Sequence, residues 1–134
     1  MDPLQAAVLC VKLPHLNHQH EGRRKNAAFY NANLKNVTTP VEKDGNWMIY
    51  NQYTVRTEHR DAFMAHLTQH NVGNAIYYPL SLHLQQCFDY LGYNEGDFPE
   101  AEKASKEVVS LPVYSELNQD QLDYVVSVVS QFSA

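Results

Sequence analysis

The chain has 134 residues, of which 44% are apolar, and its formal net charge at pH 7 is −5. A chain of this length buries roughly two-thirds of its unfolded surface, so we expect one folded domain, with or without an appendage, rather than global disorder. The acidic charge, with no basic cluster larger than Arg23-Arg24-Lys25, argues against nucleic acid as the main partner, because phosphate binding needs a sustained basic face.

The N-terminal segment is predicted to form two helices. In residues 3–13 one face is apolar, and it comprises Leu4, Ala7, Val8 and Val11. Asp2 is a suitable N-cap for this helix because proline follows it at the first helical position. Pro14 is expected to end the helix, and a second, more polar helix is predicted over residues 17–34.

The middle of the chain predicts two strands and one helix. Residues 36–46 contain turn-forming residues and are interpreted as a linker. Residues 47–57 carry β-forming side chains with a period near two, which predicts the principal strand. A helix over residues 58–70 follows, and a second strand is predicted over residues 75–78, where Pro79 ends it.

Two helices and a strand are predicted in the next part of the chain. The first helix is short and covers residues 83–91. The second covers residues 97–109, with Asp97 and Glu100 forming a capping box at its start. Residues 111–113 are interpreted as a short edge strand.

The last helix has the clearest local signature. Asn118 is the expected N-cap, Gln121 completes a capping box, and Leu117 is placed to pack against Leu122. The buried stripe of this helix is expected to comprise Leu122, Val125, Val126 and Val129.

Taken in order, these elements predict an α/β fold, or α+β for the isolated domain. We expect a small, mostly antiparallel sheet covered by helices in residues 36–134. The N-terminal helical segment, residues 1–35, precedes this domain and stands apart from it.

The histidines near the start of the second helix are a local signal for a metal site. His15, His18 and His20 have a short spacing at which imidazoles bind transition metals. However, only Glu21 stands nearby as a further ligand, and a helix start would direct His18 and His20 differently. We therefore interpret this segment as a solvated helix entrance and expect no metal site.

No targeting or membrane segment is visible in the sequence. The longest apolar stretches fall far short of the roughly 20 residues that span a bilayer, and no cationic segment precedes an apolar core at the N-terminus. Cys10 and Cys87 lie far apart, and we interpret them as reduced thiols rather than a disulfide. These features favour a cytoplasmic protein.

A resemblance to a known family rests on blocks of residues that occur in the same order. The main block, residues 73–85, reads Gly-Asn-Ala-Ile-Tyr-Tyr-Pro-Leu-Ser-Leu-His-Leu-Gln. The other blocks are residues 1–7, 51–56, 96–102 and 110–114. Together they resemble the C-terminal portion, or small domain, of the DegT/DnrJ/StrS family of pyridoxal-phosphate-dependent sugar aminotransferases.

The resemblance implies the C-terminal domain of a considerably longer fold-type-I transferase. In such an enzyme a large domain holds pyridoxal phosphate, the small domain closes over the substrate, and the active sites lie at a homodimer interface. The implied substrate is a keto sugar attached to a nucleotide, with glutamate as the usual amino donor. The variants Asn-Gln-Tyr-Thr-Val and Ile-Tyr-Tyr-Pro resemble members that act on UDP-linked acetamido sugars.

The chemistry of transamination requires residues that this chain does not provide. Pyridoxal phosphate needs a lysine for a Schiff base, an acid for its pyridinium proton and a phosphate cradle. The resemblance places the family's lysine segment upstream of residue 1, and the chain's own six lysines are interpreted as surface charges. The five glycines form no phosphate-binding loop. We therefore expect no catalytic or cofactor-binding residues here, and no transamination by this chain alone.

Part of the substrate-binding surface is expected to be present. The resemblance implies that Tyr77 and Tyr78 contact the sugar nucleotide, since they match the family's His-Tyr pair. Tyr77 departs from the commoner histidine, although a phenol also donates and accepts hydrogen bonds. The alternative is that both rings pack at the strand end before Pro79. His83 is a third candidate substrate-binding residue, with capping of the helix it begins as its alternative.

Three main functions therefore stay open, with a metal-binding module as a fourth. The chain is interpreted first as a catalytically incomplete C-terminal domain of a sugar aminotransferase, with a nucleotide sugar or the large domain as partner. The second interpretation is a self-associating interaction protein, a dimer or larger, in which the helix over residues 3–13 forms the interface. The third is a half-enzyme that is complemented by a separate cofactor domain.

Overall fold

The computed structural model describes residues 1–133, which form five α-helices and one two-stranded sheet. In chain order the elements are α1 (Pro3–Lys12), α2 (Leu16–Asn33), β1 (Tyr53–Arg56), α3 (Arg60–Gln69), α4 (Pro99–Glu107), β2 (Val108–Leu111) and α5 (Gln119–Gln131). Three 3₁₀ turns occur at Leu13–His15, Leu82–Leu84 and Gln86–Leu91. The two N-terminal helices are thus present, with the first 3₁₀ turn between them.

The sheet is small and antiparallel. Tyr53 of β1 lies opposite Leu111 of β2, and Arg56 lies opposite Val108. Isolated bridges extend the pairing on both sides, from Thr38 to Arg56 and from Ala75 to Ser110. The predicted architecture, a small antiparallel sheet covered by helices and preceded by two helices, is confirmed.

One hydrophobic core joins α2, both strands, α3 and α5. Its largest fully buried side chains are Tyr30, Tyr53, Phe63, Leu67, Val55, Val109, Val128 and Val129. The rings of Tyr30 and Tyr53 have centroids 5.1 Å apart. The hydroxyl of Tyr30 donates to the carbonyl of Pro112 at 3.0 Å, and that of Tyr53 donates to Asn31 Oδ1 at 2.6 Å. Helix α2 therefore shares its core with the later elements, while the division of the chain at residue 35 stays a prediction.

Only the end of the principal predicted strand, residues 47–57, is a strand. Trp47 is 58% exposed, and Tyr50 has a φ of 47°, which interrupts an extended backbone. A contact with α2 holds this stretch instead, because Arg24 Nη1 donates to the carbonyl of Met48 at 2.6 Å. The guanidinium of Arg24 also lies over the Trp47 ring, 5.3 Å from its centroid.

Three other element predictions are wrong in position or type. Residues 75–78 contain only the isolated bridge of Ala75, and the strand predicted over residues 111–113 lies earlier, at β2. Pro112 cannot continue the ladder because it has no N–H to donate. Residues 83–91 form 3₁₀ turns rather than an α-helix.

The predicted capping box of α4 is also wrong. Phe98 is the N-cap of this helix and provides no side-chain hydrogen bond. The carboxylate of Asp97 instead accepts the N–H of Asn94 at 2.8 Å, within the preceding loop. Glu100 is exposed in the first helical turn.

The predicted start of α5 is confirmed. The side chain of Asn118 accepts the N–H of Gln121, and the side chain of Gln121 accepts the N–H of Asn118. The buried stripe differs at one position, because Val128 is buried where Val126 was expected, and Val126 is only partly buried.

Candidate functional site

The candidate residues Tyr77 and Tyr78 lie in a short span that starts from an anchored point. The N–H of Ala75 donates to the carbonyl of Ser110 at 3.3 Å, and the N–H of Ser110 donates back to Ala75 at 2.8 Å. Among the described residues, those from 76 to 80 make no backbone–backbone hydrogen bond. The position of the tyrosine pair therefore depends on the points at which the two ends of this span are held.

Both tyrosine rings are accessible to solvent. Tyr77 is 44% exposed and Tyr78 is 71% exposed, and their ring centroids lie 6.1 Å apart at an interplanar angle of 80°. An exposed phenol donates and accepts hydrogen bonds, and its ring offers a flat apolar face. This geometry suits contact with a sugar hydroxyl or a nucleotide base.

Tyr77 also lines a cleft of about 370 Å³. The amide side chains of Asn51 and Gln52 line the same cleft, as does Arg23 of α2. One Arg23 nitrogen, Nη1, donates to the carbonyls of Tyr50 and Asn51 at 3.3 and 3.2 Å. The cleft thus brings together an aromatic ring, two amides and a guanidinium, which suits a polar ligand that carries negative charge.

The structure places His83 inside the fold. Its Nε2 lies 3.0 Å from Glu102 Oε1, and the two side chains are only 8% and 9% exposed. The His83 ring also packs against Phe98 at a centroid distance of 4.8 Å. His83 makes no capping bond at the 3₁₀ turn Leu82–Leu84 that contains it. Its role as a direct substrate contact stays a prediction, and its observed partner is a carboxylate.

The carboxylate of Glu102 is the centre of a buried polar cluster. It accepts the N–H of Gly96 at 2.9 Å on Oε1 and 3.0 Å on Oε2, and the N–H of Phe98 at 3.3 Å. Burial alone would raise the pKa of Glu102, but these N–H donors and the His83 ring together hold that pKa below its ordinary value. The carboxylate therefore remains ionised under neutral conditions.

Two serines extend this cluster toward the tyrosine span. Ser81 is buried, and its hydroxyl donates to the hydroxyl of Ser105 at 3.4 Å. Ser105 in turn donates to the carbonyl of Glu102 at 2.8 Å. The far end of the span that carries the tyrosines is therefore held on α4.

Sequence reasoning missed Glu102. The available signal was an acidic residue in a helix that follows a glycine-containing loop, since such loops direct N–H groups toward an acceptor. That signal was assigned to Glu100 as part of a capping box. The direction in which the chain enters α4 determines that Glu102, and not Glu100, faces the loop.

The remaining predicted features have the following positions. His20 packs edge-on against Trp47 at 5.7 Å, and the described residues contain no group of three or more His, Cys, Asp or Glu side chains that could hold a metal ion. Cys10 and Cys87 are free and exposed. No helix within residues 1–133 has the length and apolarity needed to cross a membrane.

The fold is similar to those of solved aminotransferases. DesV from S. venezuelae, solved in complex with a ketimine intermediate, matches with a TM-score of 0.88 and 32% identity over 96% of this chain and 36% of that chain. A DegT/DnrJ/EryC1/StrS aminotransferase from Brucella abortus matches with a TM-score of 0.88 and 33% identity, over 97% of this chain and 35% of that chain. The fold class is therefore that of a part of a sugar aminotransferase.

Residues 1–130 match the model of the DegT/DnrJ/EryC1/StrS aminotransferase family, and the chain belongs to this family. The pleiotropic regulatory protein of Geobacillus stearothermophilus is 47% identical over 98% of this chain and 37% of its own length. A dTDP-3-amino-3,6-dideoxy-alpha-D-galactopyranose transaminase of Aneurinibacillus thermoaerophilus is 32% identical over 98% of this chain and 36% of its own length. The family recognition is confirmed, and the chain spans little more than a third of these relatives.

Proposed function

We propose that this chain is the substrate-contacting C-terminal domain of a pyridoxal-phosphate-dependent aminotransferase that acts on nucleotide-linked sugars. The observation that carries the proposal is the exposed pair Tyr77 and Tyr78 on a span with both ends anchored, with Tyr77 lining a cleft that also contains two amides and a guanidinium. The names of several relatives support the substrate class, since they are transaminases of dTDP-linked and UDP-linked sugars. Nucleotide sugars offer the hydroxyls, base and phosphates that such a cleft would contact.

We further propose that the chain does not catalyse transamination by itself. A lysine that forms a Schiff base is activated by desolvation or by a neighbouring cation, and it must lie at an enclosed site. All six lysines of this chain are exposed, and none lines the Tyr77 cleft: Lys12, Lys25, Lys35, Lys43, Lys103 and Lys106. The residues present therefore do not fit pyridoxal phosphate. In the longer protein we propose that the cofactor belongs to another domain, in a cytoplasmic homodimer.

A second candidate function is self-association through α1. No residue of this helix is buried, and its large apolar side chains are uncovered, with Leu4 77%, Val8 54% and Val11 72% exposed. An exposed apolar helix of this kind favours association because burying it removes apolar surface from water. We propose a second copy of this chain as the occupant. A separately encoded cofactor domain, the half-enzyme alternative, would cover the same face.

The proposed function is tested by ligand titrations of the 134-residue chain. UDP-N-acetylglucosamine, dTDP-glucose, pyridoxal phosphate and zinc chloride are added separately and followed by thermal shift and by NMR. We expect a nucleotide sugar to raise the melting temperature, by an amount that corresponds to about 2.7 kcal/mol at a hundredfold excess over Kd. Replacing both hydroxyls in a Tyr77→Phe/Tyr78→Phe variant should weaken binding by about tenfold, because one or two hydrogen bonds are lost.

The matched control is Tyr90→Phe, because Tyr90 is also exposed, at 79%, and should leave the affinity unchanged. Absence of any nucleotide-sugar shift would contradict the binding role. A stoichiometric pyridoxal phosphate absorbance band that one lysine substitution abolishes would contradict the proposed lack of independent cofactor chemistry.

A further inference from the structure

The tyrosine span is held at both ends by one continuous unit, α4 followed directly by β2. Ser110 of β2 pairs with Ala75 at the start of the span. Ser105 and Glu102 of α4 contact Ser81 and His83 just after its end. The separation of the two anchors is therefore set by a single helix–strand segment, and the geometry of the intervening tyrosines follows from it.

Glu102 is the principal anchor at the far end. Besides bonding His83, its carboxylate accepts the N–H groups of Gly96 and Phe98, so it holds both the entry and the exit of the excursion formed by residues 81–98. The other side-chain hydrogen bonds from this excursion to the rest of the described residues are long. They are the 3.4 Å bond between the hydroxyls of Ser81 and Ser105 and the 3.4 Å contact of Lys106 with Glu95. The N–H of Glu102 also donates to the carbonyl of Phe98 at 3.1 Å, as the first backbone bond of α4.

The excursion contains little secondary structure that would stabilise its conformation. It contains two short 3₁₀ turns, and several of its large apolar side chains are exposed, including Leu82, Tyr90 and Leu91. Short 3₁₀ turns have poor hydrogen-bond geometry and little independent stability. Releasing Glu102 would therefore extend the unanchored stretch from residues 76–80 through most of the loop before α4.

We propose that His83 and Glu102 form a positioning pair that holds the Tyr77–Tyr78 span in the geometry that binds a nucleotide sugar. Neither side chain contacts the ligand in this proposal; both act through the backbone of residues 76–98. The inference rests on the proposed function, because it assigns these two residues to the same binding surface. It gives His83 a supporting role in place of direct contact with the sugar.

The test compares Glu102→Gln and His83→Gln with the control Glu100→Gln in the full 134-residue chain. Glu100 is exposed on the same helix, so its replacement removes an equal charge without touching the cluster. Amide hydrogen exchange is measured by NMR without ligand, and Kd is measured with UDP-N-acetylglucosamine. Unchanged far-UV circular dichroism and unchanged exchange at the amide of Val129, which is buried in α5, show that each variant is folded.

In Glu102→Gln we expect exchange of the Gly96 and Phe98 amides to accelerate about tenfold or more, because a neutral amide with a single acceptor oxygen replaces the charged carboxylate. The Kd should rise about tenfold in that variant and less in His83→Gln, which leaves the two N–H bonds in place. Val129 exchange in both cluster variants should match the wild type, and Glu100→Gln should match it in every measurement. A general loss of stability would instead accelerate exchange at Val129 as well.

Unchanged exchange in the two cluster variants would overturn the proposal, as would faster exchange with an unchanged Kd. If Glu102→Gln does not fold, His83→Gln decides the question by the same two readouts. If the wild-type chain binds no nucleotide sugar, the proposed function fails. Exchange that accelerates only within residues 76–98 would then still support the anchoring role, and unchanged exchange would overturn that role too.

Discussion

At the scale of single residues, the two buried tyrosines of the core have an expected effect on stability. Tyr30 and Tyr53 are fully buried, and burial is the main cause that raises the pKa of each hydroxyl above its ordinary value. Below about pH 10 both phenols are neutral in the folded and unfolded states. Above that pH the unfolded chain ionises first, so proton release favours unfolding.

We therefore predict that the free energy of unfolding falls as the pH rises above about 10, by roughly 1.4 kcal/mol per pH unit for each of the two tyrosines. Urea denaturation at a series of pH values measures this slope. Tyr53→Phe should remove one tyrosine's share of the slope, and the exposed control Tyr90→Phe should leave it unchanged. An equal slope in Tyr53→Phe and the wild type would contradict the prediction.

The candidate site around Tyr77, Tyr78 and His83 was predictable only in part. Tyr77 and Tyr78 were identified from a contiguous motif, and the structure leaves both exposed. His83 belongs to the same motif, but its side chain is only 8% exposed, because it packs against Glu102 on a helix that lies farther along the chain. A motif names the residue types, whereas burial depends on what the rest of the chain places against them.

At the scale of elements, α2 packs so closely against Ser115 that position 22 has room for glycine only. A Cβ added at Gly22 would lie 2.8 Å from Ser115 Cβ and 3.1 Å from Ser115 Cα. Alanine is the better helix former by about 1 kcal/mol, but overpacking costs about 1–3 kcal/mol. The steric cost should therefore prevail in this helix.

We predict that Gly22→Ala lowers the free energy of unfolding by about 1 kcal/mol, measured by chemical denaturation. In a Ser115→Gly background the same change should cost less, because the nearest atom is gone. A double-mutant cycle isolates this coupling. A stabilising Gly22→Ala with no coupling to Ser115 would show that propensity outweighs the contact.

Local signals predicted elements well where a residue's partner lies within one turn. The N-cap of α1 at Asp2 and the capping box at Asn118 and Gln121 are both confirmed, since each depends on N–H groups a few residues away. The strand over residues 47–57 failed for the opposite reason. β-forming side chains make a strand only where another strand pairs with them, and pairing with β2 begins only at Tyr53.

At the scale of the whole molecule, α1 exposes its apolar face to solvent. Its apolar side chains are exposed, whereas α2 contributes Ala27, Tyr30 and Leu34 to the core. This contrast supports α1 as a surface for association with a second copy or with a further domain of a longer protein.

We predict that the chain is a dimer or larger in solution and that Leu4→Lys/Val8→Lys makes it monomeric, because two charges on one helix face oppose burial. Light scattering at micromolar concentrations measures the mass. The control is Val41→Lys, since Val41 is 80% exposed away from this helix. A monomeric wild-type chain would contradict the prediction, and a monomeric Val41→Lys would assign the interface elsewhere.

The sequence by itself determined the family, the helices with their own caps and the tyrosine pair, because motifs, periodicity and capping are properties of neighbouring residues. Only the tertiary structure decided which strand residues pair, that α2 joins the core, and that His83 faces Glu102. Each of these depends on a contact between residues far apart in the chain. Burial and hydrogen-bond satisfaction act on the whole fold, and they selected one arrangement among those that the local pattern allowed.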